Sequence, residues 1–97
     1  MIIYDKASWH IDAGMNEEEV INKLKILFDF LASKDMLSDE GKEEYECGID
    51  DSCSLNERTV NSQGNEFLGH YYDEIINYDD SNILNYLSEL YEVFLKL

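Results

Sequence analysis

One stretch of the sequence, residues 16–36, constrains the fold more than any other because its apolar side chains recur at helical spacing. Side chains on a helix advance by about 100° per residue, so residues three, four, seven and eight apart share a face. The apolar stripe consists of Val20, Ile21, Leu24, Leu27, Phe28 and Leu31. Asn16 stands at the N-cap position, and three glutamates follow in the first turn. The pattern therefore predicts a capped amphipathic helix.

The same helix carries apolar side chains outside its main stripe. Ile26 and Phe30 lie beside or opposite the stripe, so the apolar surface is wider than a one-sided surface helix needs. We therefore expect a central helix with packing neighbours on two sides.

Two further helix starts share one short pattern at an offset of 23 residues. The segments LSDEGKE at residues 37–43 and VNSQGNE at residues 60–66 each place a capping residue after an apolar one and a glycine three residues later. Two explanations are open. One is a weak internal duplication; the other is one solution used twice, in which the same type of helix start arose independently at both places, with the apolar residue before the cap packing as a hydrophobic staple. We favour the second because the following residues do not match. Both predict a short polar helix from Ser38, closed by Gly48, and a longer helix over residues 61–78.

The two ends of the chain have different patterns. Residues 83–97 predict a second strongly apolar helix, preceded by a turn and N-cap at residues 79–82. Its stripe is Ile83, Leu87, Leu90, Tyr91, Phe94 and Leu97. Residues 1–11 alternate between apolar and polar side chains, which indicates a strand or an extended arm with Trp9 buried. Residues 54–57 are expected to form at most one helical turn.

Together these elements predict an all-α fold in one domain, residues 1–97. Three long helices and one short helix would form a compact bundle beside an N-terminal extended segment or strand. The absence of proline suits helices that are joined by short turns.

The charge of the chain limits its partners. Twenty-two Asp and Glu residues against seven Lys and Arg residues give a net charge of -15. This charge disfavours direct binding to nucleic acid or to an anionic membrane and favours a basic protein partner. No signal peptide or membrane-spanning run is readable, so we expect a cytoplasmic protein. Cys47 and Cys53 are then expected to be free thiols.

No catalytic or metal-binding motif is readable, so we expect neither an enzyme nor a cofactor. Cys47 and Cys53 lack the second Cys or His pair of a zinc site, and the Asp-Asp-Ser run from Asp50 lacks the alternating ligands and glycine of a calcium loop. Negative charge around Cys47 opposes the thiolate that a nucleophilic cysteine needs. Pairs of carboxylates are inevitable in so acidic a chain and indicate no acid/base site by themselves.

The acidic residues are clustered. Residues 39–51 hold seven acids against one lysine, a density beyond what solubility requires. A second acidic group surrounds Asp73, and tyrosines are interleaved with both groups. Tyrosine rings among carboxylates suit a partner surface rich in Lys and Arg. The candidate contact residues are Asp39, Glu40, Glu43, Glu44, Tyr45, Asp50, Asp51, Tyr72 and Asp73.

In length, acidity and helical character the whole chain resembles the small immunity proteins that bacteria pair with their toxins. The resemblance is one of general type and uses no shared motif. It implies an inhibitor that occupies a basic, nuclease-type toxin. One alternative is a DNA-mimic inhibitor of a nucleic-acid enzyme, of the phage anti-restriction or anti-CRISPR type, whose carboxylates would follow an edge at phosphate spacing. Another is a homodimeric helical adaptor whose charge is incidental.

Overall fold

A computed structural model of the chain describes residues 1–78 and 82–97, which form five helices and two short strands. In chain order these are β1 (Ile3–Lys6), α1 (Ala7–Asp12), α2 (Glu17–Ser33), α3 (Asp39–Cys47), β2 (Ser54–Asn56), α4 (Ser62–Ile76) and α5 (Ile83–Leu95). The prediction of a mostly helical chain is confirmed. The details differ, because the described residues contain a second short helix, α1, and a two-stranded antiparallel sheet.

Helix α2 is central, as its apolar pattern predicts. The side chain of Asn16 caps it by accepting a hydrogen bond from the backbone N–H of Glu19 at 3.1 Å. Phe30, outside the main stripe, is only 3% exposed, and its ring lies 5.8 Å from Phe67 of α4 and 6.0 Å from Tyr91 of α5. Helix α2 also packs against α1. The wide apolar surface of α2 therefore reflects neighbours on more than one side.

The small sheet corrects the prediction for residues 54–57. These residues supply β2 instead of a helical turn, and β2 pairs antiparallel with β1 so that Asp5 lies opposite Leu55 and Lys6 opposite Ser54. A strand of three residues is too short to show an alternating pattern. Its pairing with the N-terminus could not be read from the sequence for that reason.

The N-terminal segment is extended only as far as Lys6 and then becomes helical, which corrects the prediction for residues 7–11. The periodicity of the chain changes from two to 3.6 residues at this point. Ala7 is fully buried and Ile11, four residues later, packs against the core, whereas Trp9 lies on the opposite side of α1 and is 49% exposed. The prediction that Trp9 is buried is therefore wrong.

The two similar helix starts face each other across an isolated antiparallel bridge. The backbone contacts are the Leu37–Val60 bridge, the Ser38 N–H bond to the Thr59 carbonyl at 3.1 Å and the Asn61 N–H bond to the Met36 carbonyl at 2.9 Å. The two hydrogen bonds are equivalent under the 23-residue offset. Ser38 corresponds to Asn61, and Met36 corresponds to Thr59. The sequence offset therefore corresponds to a local two-fold relation between the two segments.

Each start carries a capping side chain and a glycine that permits close approach. Ser38 accepts a hydrogen bond from the Gly41 N–H at 3.1 Å, and Asn61 accepts one from the Gly64 N–H at 2.9 Å. A Cβ atom on Gly41 would lie 1.8 Å from the Thr59 carbonyl oxygen, and a Cβ on Gly64 would lie 2.6 Å from the equivalent oxygen of the other segment. Each of these two positions requires glycine, because the backbone of the other segment lies too close to leave room for a side chain. This equivalence is expected both from an internal duplication and from one solution used twice.

The remaining helices enclose one continuous core. Ile83, Leu87 and Leu90 of α5 are buried as predicted, but Leu97 lies beyond the end of α5 and is 74% exposed. Helix α4 ends at Ile76 instead of residue 78. The predicted turn at residues 79–81 lies outside the described residues. The radius of gyration is 12.6 Å, close to the value of about 12.5 Å expected for a compact chain of this length.

Candidate functional site

Helix α3 packs on the rest of the protein through Gly41, and most of its acidic side chains are exposed to solvent. Gly41 is buried against the Thr59 backbone, which fixes the rotation of the helix. The exposed carboxylates of α3 and of the turn after it, here named the α3 acidic face, belong to Asp39, Glu40, Glu43, Glu46, Asp50 and Asp51. Five of these six residues are among the contact residues predicted from the sequence, and Glu46 lies in the same cluster.

The α3 acidic face takes no part in the ion pairs that the structure records. Among residues 1–78 and 82–97, these pairs are Met1–Glu57, His10–Asp5 and Lys42–Asp35. Lys42 is the only base in residues 39–51, and its ammonium lies 3.8 Å from Asp35, outside the face. None of the six carboxylates therefore takes part in an ion pair recorded among the described residues.

Two other predicted contact residues, Glu44 and Tyr45, hold α3 in place. Glu44 accepts a hydrogen bond from the backbone N–H of Ser54 at 3.3 Å, which connects α3 to β2. The Tyr45 hydroxyl donates to the carboxylate of Asp29 on α2, and this hydrogen bond raises the pKa of Tyr45. Asp29 thereby joins the acidic surface. Sequence reasoning missed it because no local pattern shows that α3 lies beside α2.

The turn after α3 is stabilised by one of its own acids. Asp50 accepts hydrogen bonds from both the hydroxyl and the backbone N–H of Ser52. These bonds lower the pKa of Asp50. Asp51, the next residue, is exposed.

Tyr72 does not lie on the surface with the acids, contrary to its selection as a contact residue. It is 5% exposed, and its hydroxyl donates to Asp5 at 2.5 Å. Burial and the Asp5 carboxylate raise the pKa of Tyr72 far above its ordinary value. Tyr72 is four residues after Leu68 and three before Ile75, both buried, so helical periodicity places it on the core side of α4. Asp73, the next residue, is exposed.

Asp5 is the centre of a buried polar network that sequence reasoning also missed. It is 4% exposed and contacts the Tyr72 hydroxyl, the Nε2 atom of His10 at 2.6 Å and the backbone N–H of Lys6 at 2.9 Å. A buried carboxylate requires such partners. The network joins β1, α1 and α4. Its evident role is to hold the N-terminal segment on the helices.

The two cysteines are unbridged and differ in environment. Cys47 is exposed and Cys53 is buried, and burial followed by the Glu44 charge raises the pKa of Cys53 to about 12. Because Cys47 is accessible to the reagent while Cys53 is buried with a raised pKa, we expect one thiol to react with Ellman's reagent in the folded protein and the second to react only when the protein unfolds. The Cys47→Ser variant should lose the prompt reaction. Two equivalents of prompt reaction in the folded protein would contradict this assignment.

The described residues contain no group of three or more His, Cys, Asp or Glu side chains placed to hold a metal ion. Within the same part of the chain, every helix is too short or too polar to cross a membrane. Comparisons with protein-family models, curated proteins and solved structures find no match. A functional assignment for this chain therefore has to be argued from its own surfaces.

Proposed function

We propose that the protein is an acidic binding module that occupies a basic protein, in the manner of an immunity protein on a nuclease-type toxin. The observation that carries the proposal is the α3 acidic face, in which six exposed carboxylates lie on one short helix and the adjoining turn. Like charges at this density oppose compact folding. A surface rich in Lys and Arg would relieve that repulsion on binding and would speed association through long-range attraction.

The neighbourhood of the face also suits a protein partner. Tyr45 is half-buried at its edge and held by Asp29, so its ring adds a fixed apolar surface beside the charges. Interfaces concentrate binding free energy at tyrosine, tryptophan and arginine side chains. An arginine of the partner would meet both a ring and several carboxylates here.

The first test is capture of proteins from the lysate of the source cell by the tagged full chain. At about 0.05 M salt we expect retention of one basic protein, and at about 0.5 M we expect its release, because salt screens exposed charges. Release of the captured protein by duplex DNA would favour the DNA-mimic alternative. Recovery of only a second copy of the bait would contradict the proposal and favour the homodimeric adaptor.

A pair of variants separates the face from net charge. The face-reversed variant replaces Glu43, Glu46 and Asp51 by lysine, and it leaves Glu44 intact because Glu44 connects α3 to β2. The charge-matched variant replaces three exposed acids outside the face by lysine, at Asp12, Glu89 and Glu92. We expect the charge-matched variant to capture the partner and the face-reversed variant to fail. Capture by the face-reversed variant at the wild-type level would contradict the assignment of the site.

A further inference from the structure

A concave surface lies between β1 and α4, and none of its lining residues belongs to the α3 acidic face. It is an open depression of about 740 Å³, and its apolar lining includes the half-buried Tyr4 together with Leu68 and Tyr72, which are almost completely buried. We call it the β1–α4 hollow. Pockets of about 300–1,000 Å³ hold ligands of drug-like size, so the hollow has room for one long side chain together with its flanking residues.

Gly69 lies on the α4 side of the hollow, and none of the described residues approaches it closely enough to require a glycine there. It lies inside α4, it lines the hollow, and a Cβ atom built on it meets no atom within 4 Å. Gly41 and Gly64, by contrast, are needed for close backbone approach. A glycine inside a helix is unfavourable compared with alanine. Its presence at an open position is explained if another molecule occupies the space.

The tyrosine wall is fixed before any ligand arrives. The Tyr4 hydroxyl donates to the side-chain oxygen of Asn65 at 2.7 Å, and the Tyr4 ring lies 6.2 Å from the ring of Tyr72. The amide of Asn65 donates in turn to the backbone carbonyl of Glu57 at 3.1 Å. A rigid aromatic wall reduces the entropy that is lost on binding.

The charges around the hollow determine the kind of occupant. Three acids line it, Glu57, Glu66 and Asp73, and none of the described side chains that line it is Lys, Arg or His. Glu57 already contacts the Met1 ammonium at 4.0 Å and the Ile2 N–H at 3.0 Å. Glu66 and Asp73 are exposed and take part in none of the ion pairs within the described residues. The hollow therefore combines an apolar aromatic wall with two carboxylates that face solvent.

We infer that the β1–α4 hollow receives an arginine side chain of the basic partner. Arginine fits better than lysine because its planar guanidinium can stack on a tyrosine ring while donating to a carboxylate, and its aliphatic stem can cover apolar surface. The inference rests on the proposed function for the charge of the partner. It does not depend on the α3 acidic face.

The test is a titration of the isotopically labelled full chain with N-acetyl-arginine amide, followed by ¹H–¹⁵N NMR at low salt. We expect saturable shifts at the amides of Tyr4, Gly69 and Asp73. N-acetyl-citrulline amide, which has nearly the same shape without the charge, should cause no such localised shifts. Shifts of equal size over all the acidic surfaces, α3 included, would show non-specific attraction and overturn the inference.

Two variants make the titration decisive. Gly69→Gln fills the open position with a good helix former, and we expect it to weaken binding of the arginine probe at least about tenfold, or 1.4 kcal/mol. The face-reversed variant should bind the probe within about twofold of wild type. Unchanged binding by Gly69→Gln would overturn the inference but leave capture through α3 untouched. Failure of the face-reversed variant to lose capture would count against the proposed function alone.

Discussion

Replacing Gly41 by alanine is expected to lower the free energy of unfolding by more than about 3 kcal/mol. The added Cβ would lie 1.8 Å from the Thr59 carbonyl oxygen, and no side-chain rotation can relieve a clash between two backbone segments. The segments would have to separate, which would break the Ser38–Thr59 hydrogen bond and the Leu37–Val60 bridge. Urea denaturation followed by circular dichroism at 222 nm measures the loss, and failure of the variant to fold would agree with it.

Gly69→Ala is the matched control. The same substitution at this position meets no atom within 4 Å, so the higher helix propensity of alanine should raise the free energy of unfolding by about 0.5–1 kcal/mol. The two alanine variants are thus expected to shift stability in opposite directions. A Gly41→Ala variant as stable as wild type would contradict the close crossing of the two helix starts.

Replacing Asp5 by alanine is expected to cost about 3 kcal/mol of stability. The substitution leaves the Tyr72 hydroxyl without its acceptor in a position that is 5% exposed, and it removes the partner of His10. Loss of an acceptor with several donors costs more than loss of one hydrogen bond, because the Tyr72 hydroxyl is left buried without a partner and His10 loses its own. Urea denaturation of the variant and of wild type measures the difference.

Two control variants distinguish loss of the Asp5 hydrogen-bond network from the general effect of replacing a side chain. Tyr72→Phe removes one hydroxyl and should cost about 1–2 kcal/mol, since the Asp5 carboxylate keeps its other donors. Asp12→Ala changes an exposed acid of α1 and should stay within about 0.5 kcal/mol of wild type. If Asp5→Ala were as mild as Asp12→Ala, the N-terminal segment would not depend on this network.

Local sequence patterns predicted the starts of three helices because the interactions that form them are local. Asn16, Ser38 and Asn61 were identified as caps, and each accepts a hydrogen bond from the backbone N–H three residues later. The wide apolar surface of α2 was predictable for the same reason, since helical periodicity relates residues within a few turns.

The features that escaped prediction depend on partners far away in the sequence. Asp5 interrupts an apolar alternation and reads as a surface residue, yet it bonds to Tyr72, 67 residues away. Strand β2 exists only through its pairing with β1. Trp9 would be buried if the strand continued, but the chain turns helical at Ala7. The Asp5–Tyr72 contact and the pairing of β2 leave no periodic signal, and the helical spacing of Ala7 and Ile11 is too short a pattern to reveal α1.

In the candidate site, too, the exposure of the acids was predictable from the sequence, whereas their long-range contacts were not. The exposure of Asp39, Glu40, Glu43, Asp50 and Asp51 agrees with their polarity. The tethering of Glu44 to Ser54 and of Tyr45 to Asp29 needed the three-dimensional arrangement. The burial of Tyr72 could have been found from its helical spacing to Leu68 and Ile75, which is the one local signal that was overlooked.

The most direct test of binding through the α3 acidic face is a calorimetric titration of the purified, captured partner. Wild type, the face-reversed variant and the charge-matched variant are compared at about 0.1 M salt. We expect the face-reversed variant to bind at least about tenfold more weakly than wild type, or 1.4 kcal/mol, and the charge-matched variant to bind within about threefold. Equal weakening of the two variants would show that only net charge matters and would contradict a defined site on α3.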